Sequence, residues 1–271
     1  SIMTAAAVTA CTNQTPQSSH TATEPFNYVV DQFADLQILR YQVPAFEQLP
    51  LRQKQLLYHL SEAALMGRDI LFDQNCRYNL AIRRTLEAIY QSYKGDRNSA
   101  DFQALETYLK RVWFANGIHH HYAEDKFQPG FSPEFLMNCV HQLSAAQLPL
   151  RPNQTVDQFM AEIFPIIFNP TLMAKRTVQS GDGDWIEASA NNYYGAGVTL
   201  QEAEQFYGKM KAEGDTLHPI SYGLNSRLVK EQGALVEKVW KVGGLYSAAI
   251  EHIVDQLQQA LPFADNEAQK G

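Results

Sequence analysis

Ile82-Arg83-Arg84-Thr85-Leu86-Glu87-Ala88-Ile89-Tyr90-Gln91-Ser92-Tyr93 is the stretch that decides the fold class. Its apolar residues Ile82, Leu86, Ile89, Tyr90 and Tyr93 recur at the spacing of one helical face. Phe102, Leu105, Leu109, Val112 and Trp113 repeat the pattern, and Lys94 to Ser99, with Gly95 inside it, reads as the polar turn between two helices. From Phe26 onward the apolar spacing is mostly helical. Ser132 before Pro133 announces a further helix, because the N–H that proline lacks has no partner at the first helical position anyway. Phe135, Leu136, Cys139, Val140 and Leu143 then point one way, which makes Cys139 a core residue. Thr155 with Gln158, and Thr199 with Glu202, fit the capping box, in which each side chain takes up a free backbone N–H at the other's position. Helices are expected to begin at both.

After Gly214 the period changes. Ser221 to Val229 and Leu235 to Val242, rich in Val, Leu, Tyr and Trp, flank Gln232-Gly233 and read as a hairpin. Gly243-Gly244 then releases the chain into a last helix, Leu245 to Leu261, and Asp265 to Gly271 looks like the polar start of another element. The fold class read from these patterns is α+β, mostly α-helical, with a small β-sheet whose hairpin occupies about 221–242. Leu148 to Thr155, with Pro149 and Pro152, is a candidate hinge between helical subregions. A hairpin alone is barely stable in water, so further strand partners are expected elsewhere in the protein.

The 271 residues are 45% hydrophobic and 19% charged, enough to bury one large core or two smaller ones. With 22 basic against 29 acidic side chains the net charge is -7, and there is no Lys/Arg stripe of the kind that phosphate backbones require. No nucleic acid is expected as a partner. No run approaches the roughly 18 apolar residues of a membrane-spanning helix. The three cysteines, Cys11, Cys76 and Cys139, cannot form a disulfide framework or a closed all-cysteine zinc site.

The ends carry their own signals. The chain opens on Ser1, and Ile2 to Ala10 is an apolar, small-residue stretch that stops at Val8-Thr9-Ala10-Cys11, a tetrapeptide similar to a bacterial lipobox. On that reading residues 1–10 are the remnant of a signal peptide, and Cys11 is the lipidated first residue of the mature protein. Residues 11–25 then hold the lipid and a polar tether, leaving 26–271 as the folded part. Both ends read as those of a fragment. The expected location is the cell envelope, membrane-anchored on the periplasmic or outer-membrane side, or the cytoplasm if the cysteine is incidental.

The search for chemistry begins at His119-His120-His121, preceded by Trp113 to Ile118 and followed by Tyr122. Adjacent side chains diverge, alternating across a strand or fanning by about 100° per residue around a helix. A triplet therefore rarely holds one metal. His119 and His121 form a His-x-His pair that suits a shared metal on a strand, with Glu124 and Asp125 near in sequence. The competing reading is a loop after a helix that ends at Gly117, with imidazoles that bond locally or line a polar cleft. A His-Glu-x-x-His zinc helix is absent, as are a Gly-x-Ser-x-Gly elbow, a phosphate-binding glycine loop and a nucleophilic cysteine context. Gly181-Asp182-Gly183-Asp184 resembles a calcium loop without its remaining ligands and reads as a turn. Asn191-Asn192-Tyr193-Tyr194-Gly195 reads as a capped turn before the Thr199 helix or as a ligand-facing segment. On its residues the chain is not a self-sufficient enzyme.

Several segments together resemble the N-terminal part of bacterial dipeptidyl peptidase III, in its Bacteroides-like form. They are Phe33 to Tyr41, Gly67 to Ile70, Tyr108 to Trp113, Asn116-Gly117-Ile118-His119-His120-His121-Tyr122, Lys126 to Phe131, Asn191 to Tyr194, and Tyr222 to Lys230, with Lys238 to Ala249 extending the likeness. None is a catalytic signature, and the specificity lies in their number and order. The resemblance implies a two-lobed, zinc-dependent exopeptidase that releases dipeptides from the N-terminus of short peptides. It makes residues 26–271 the N-terminal part of the lower lobe, truncated at the C-terminus, with the 221–242 hairpin in its small sheet. The family's zinc ligands, from a His-Glu-x-x-Gly-His helix and a following glutamate, would lie beyond Gly271, as would its main contacts to the substrate amino terminus. No catalytic or metal residue is therefore assigned in this chain.

The resemblance places Phe114, Asn116, Gly117, His119, His120 and His121 along the cleft that receives peptide. The partners implied are short peptides, the remaining C-terminal part of the same enzyme, and the membrane through Cys11. The full-length protein is then a zinc metallopeptidase and this chain alone is inactive. The alternative is a non-catalytic lipoprotein module that binds peptides or a protein partner. A third reading, zinc held by His119 and His121, requires metal uptake by this chain alone. If Cys11 is the lipid site, Cys11→Ser moves the mature protein from the membrane to the soluble fraction on cell fractionation.

Overall fold

A strand pair, not a helix, forms the first described element. In the computed structural model, which describes residues 26–271, Val29–Phe33 (β1) and Leu36–Leu39 (β2) pair antiparallel with Phe33 opposite Leu36 and Asp31 opposite Ile38. Those four side chains are half-buried on one face, while Gln32, Gln37 and Leu39 are exposed. Alternation of this kind is the strand's signature, and it overrides the helical spacing read from Phe26 onward. Ala34, at φ 50°, reverses the chain between the strands. The chain divides at Gln42, with this hairpin in one compact unit and Val43–Gly271 in the other. Cys11 and the segment read as lipobox and tether lie outside the described residues.

The second unit runs through α1 (Leu51–Met66), α2 (Arg68–Asn75), α3 (Asn79–Ser92), α4 (Ala100–Ala115), α5 (Pro133–His141), α6 (Val156–Phe168), the single turn α7 (Trp185–Ala188) and α8 (Leu200–Glu213). Then come the strands β3 (Ser226–Glu231) and β4 (Ala234–Val239), the helix α9 (Ser247–Ala260) and a last turn, α10 (Glu267–Lys270). The architecture is α+β and mostly helical, as the periodicity implies. Ser132 caps α5 with Pro133 at its first position. Thr155 and Thr199 open α6 and α8 with complete capping boxes.

One core joins α3, α4, α5 and α6. Ile82, Leu86 and Ile89 meet Leu105, Leu109 and Val112, and Leu136, Cys139, Val140, Ile163 and Ile167 close the other side. Burying each such side chain contributes about 1.5–3 kcal/mol before the entropy of ordering is subtracted. Tyr93 stacks on Phe102 at 4.6 Å, and Tyr90 at 5.9 Å. Trp113, read from spacing as part of this face, instead lies largely exposed and donates its indole N–H to Glu87 at 2.8 Å. The segment 148–155 is not a break between cores, because Leu148 is buried in this cluster and Leu150 packs on it.

The C-terminal hairpin is shorter than its sequence suggested. Gln232 and Gly233 both take positive φ, 50° and 83°, the conformation of a tight I′ turn, and the strands pair from Ser226–Val239 to Glu231–Ala234. A partial third partner comes from upstream. Gly195 N–H donates to Leu228 O at 2.7 Å and Leu228 N–H to Tyr193 O at 3.0 Å. Lys230 pairs with Glu202 at 2.8 Å, so β3 is also tied to α8, and that bond with the Thr199 cap holds the Glu202 carboxyl down to about 2. Beyond β4 the Tyr246 hydroxyl reaches Asp73 at 2.6 Å and joins the start of α9 to α2.

The junction of α2, α3 and α4 is closed by one buried amide. Asn79 Nδ2 donates to Phe72 O at 2.9 Å and, more weakly, to Asn116 O at 3.5 Å, while Asn79 Oδ1 accepts from Ile118 N–H at 3.1 Å. Asn79→Ala leaves these backbone groups buried without the amide, at a cost on the order of 3 kcal/mol. It is expected to lower the urea midpoint with little change in the slope of the transition.

Candidate functional site

The candidate segment begins where α4 ends. Asn116 takes the left-handed conformation, φ 54° and ψ 40°, and Gly117 N–H reaches back to Val112 O at 3.0 Å, which closes the helix in a Schellman motif. Asparagine tolerates this conformation better than most residues. Its carbonyl accepts from Asn75 Nδ2 at 3.0 Å, whereas its own side-chain amide bonds to nothing among the described residues. Gly117 has no alternative. At φ 149° a Cβ there would sit 2.1 Å from Asn79 Nδ2. The buried Ile118 follows, and Phe127 N–H donates to its carbonyl at 2.8 Å, so the chain leaves and returns as a narrow loop.

Within the loop the three imidazoles take three different environments. His119 is buried, and its Nε2–H donates to Met173 O at 2.7 Å. Burial strips water from the charged form and Lys126 and Arg176 add repulsion, so its pKa falls to about 4 and the ring stays neutral. His119 Nδ1 is buried without a hydrogen-bond partner among the described residues. His120 turns its Nδ1 inward to accept from Tyr122 N–H at 3.1 Å and Ala123 N–H at 3.0 Å, capping its own turn. His121 lies between aromatic rings, edge-on to Phe114 at 4.9 Å, stacked on His120 at 4.5 Å and tilted against Tyr122 at 4.4 Å.

The outcome is a ledge of rings facing solvent. Phe114 is 40% exposed and Tyr122 is 85% exposed, with His121 half-buried between them. Such a surface offers flat π faces and ring edges to solvent. It brings together Phe114, His120 and His121 at the surface, with Asn116 and Gly117 forming the turn beneath and His119 directed into the protein.

The loop is held from below by charges that spacing did not single out. Lys126 is buried, and its ammonium donates to Ile166 O at 2.9 Å and to Asn169 O and Leu172 O at 2.5 Å each. Those carbonyls belong to the end of α6 and the turn after it, where the helix dipole favours a cation. Burial lowers the Lys126 pKa. Beside it Glu124 binds Arg176 directly. Burial works to raise the Glu124 pKa, but bonds from Arg176 and Thr177 hold it below the usual carboxylate range. Asp125 pairs with Lys175 at 2.8 Å. The only sequence signal for this support was the charged run Glu124-Asp125-Lys126 itself, which reads equally well as a solvated turn.

Among the described residues no group of three or more His, Cys, Asp or Glu side chains is placed to hold a metal ion. His119 Nε2 is committed to a carbonyl, so the His119–His121 pair does not assemble as a metal site here. Asp184, in the segment resembling a calcium loop, spends its carboxylate on backbone donors. Leu200 N–H is 2.7 Å from it, Ile186 N–H 2.9 Å and Glu187 N–H 3.1 Å, and these bonds lower its pKa. Asn192 is buried and donates to Asp73 at 3.1 Å. No protein-family model matches the chain, and no curated protein matches it.

His119 also predicts an acid sensitivity. Its folded pKa lies below the unfolded value of about 6.5, so the unfolded chain takes up the proton first and stability falls as pH drops from about 6.5 toward 4. In His119→Gln, which keeps a donor for Met173 O, urea midpoints at pH 7 and pH 4.5 are expected to differ less than in the parent protein.

Proposed function

We propose that this chain is part of the peptide-facing lobe of a zinc-dependent dipeptidyl peptidase of the dipeptidyl peptidase III kind, an enzyme that releases dipeptides from the free N-terminus of short peptides. The observation that carries the proposal is the aromatic ledge of Phe114, His121 and Tyr122 above the Asn116 turn. It lies on segments whose order along the chain resembles that family.

In this reading the described residues position substrate and do no chemistry themselves. On this reading the zinc helix comes from elsewhere in the enzyme, and this chain alone is expected to be inactive. Phe114, His121 and Tyr122 wall an extended peptide. Asn116 offers an amide whose donor and acceptor are spent on nothing among the described residues, which suits pairing with a peptide backbone. Gly117 and Asn79 hold the backbone of the turn that carries it. His119 stays neutral and buried, setting the height of the loop, and His120 fixes the turn that presents Tyr122. Cys11 carries the lipid that keeps the enzyme at the cell envelope. Among the described residues no helix is long and apolar enough to cross a membrane.

The test is a full-length protein assayed for zinc and for dipeptide release from a free-amine peptide. About one zinc per chain with that activity is expected, and Asn116→Ala is expected to lower kcat/KM by about tenfold, or ~1.4 kcal/mol of transition-state binding, in an enzyme that still folds, with its thermal midpoint lowered only by the strain of alanine in the left-handed cap. Identical kinetics in Asn116→Ala remove the ledge from the substrate path. Peptide binding without turnover or zinc replaces the peptidase with the non-catalytic binding module.

A further inference from the structure

A second cavity, of about 330 Å³, lies among α7, the Asn191–Thr199 segment and Arg77, and shares no residue with the ledge. Its volume is at the lower end of small-molecule sites. Two opposite charges line it, Arg77 and Glu187. They are not paired with each other, and among the described residues neither is paired with any other ion. Among the described residues Arg77 makes one hydrogen bond, to Tyr78 OH at 2.9 Å, and its guanidinium lies 4.8 Å over the same ring, so most of its donors are unspent there.

The inner wall is more specific. Asn192 is only 5% exposed, and its orientation is forced, because the Asp73 carboxylate accepts its Nδ2. Its Oδ1 is therefore left as an acceptor with no donor on it among the described residues. The wall itself is braced by Asn192 N–H to Gln74 O at 2.8 Å and by the bond from Gly195 to β3. Tyr194 is half-buried, and burial raises its pKa, so its hydroxyl keeps its proton and remains a donor. Ile186 and Val198 supply an apolar floor.

We propose that this cavity binds a small zwitterion of dipeptide size, its carboxylate on Arg77 and Tyr194 and its ammonium on Glu187 and Asn192 Oδ1. A simple anion would meet Glu187 and a simple cation would meet Arg77, each leaving one charge opposed. A molecule carrying both charges satisfies all four groups, and the cavity admits little more than two residues. The site does not depend on the peptidase reading, since binding is measured on this chain without turnover.

Isothermal titration of the chain with alanyl-alanine, its N-acetyl form and its C-terminal amide tests the proposal. The unblocked dipeptide is expected to bind, and each blocked form to bind about tenfold more weakly, the loss of one charge-assisted contact. Arg77→Gln is expected to abolish the sensitivity to amidation, and Glu187→Gln the sensitivity to acetylation. Both side chains lie at the surface, and circular dichroism checks that the variants fold. No heat up to about 5 mM, or equal binding of blocked and unblocked forms, overturns the assignment. Failure here leaves the full-length peptidase test untouched.

Discussion

Asn79 is the joint on which this structure turns. One buried amide receives the end of α2, the left-handed cap of α4 and the first residue of the loop beyond it. An unpaired backbone group at any of these points would cost as much as several exposed ion pairs supply, so the three elements are fixed together. The same amide occupies the space of a Cβ at position 117, which is why glycine stands there. The start of the ledge is thus determined from within the core.

The far end of the loop is held by a different kind of contact. Lys126 places a positive charge where α6 ends, and three carbonyls share it. Glu124 with Arg176, and Asp125 with Lys175, bind the loop to the segment that follows α6. Between these anchors the three histidines have separate environments, one buried and neutral, one capping a turn and one in a ring stack. Identical side chains at adjacent positions acquire three roles because the loop reverses direction between them. A surface of rings packed edge-on, stacked and tilted against one another is the result.

Asp73 plays the corresponding part on the other side of α2. It accepts from Asn192 and from Tyr246, residues distant in sequence, and so locates both the Asn191–Gly195 turn and the start of α9. The turn in turn lends β3 a partial third strand. A two-stranded hairpin has little stability of its own, and β3 gains it from this turn and from the Lys230–Glu202 pair to α8. The wall of the second cavity is built from these same bonds, so its polar atoms are held without any ligand.

Much of the scaffold was legible in the residues. Helical spacing located α3 and α4, proline and serine located the start of α5, the capping boxes opened α6 and α8, and Gln232-Gly233 marked the C-terminal turn. These signals are local, set by the backbone within a few residues. The β1–β2 hairpin was not legible, because its apolar positions fit either period until pairing decides between them. Nor was the exposure of Trp113, or the burial of Lys126 and Asn79. Whether a lysine points to water or caps the end of a helix about forty residues away depends on which segments meet, and His119, His120 and His121 are indistinguishable until they do. The sequence by itself determined where helices start and stop and that the core is mostly α-helical. The tertiary structure decided which polar groups are buried and which rings face solvent, because a buried charge or amide is tolerated only where distant backbone groups converge to satisfy it.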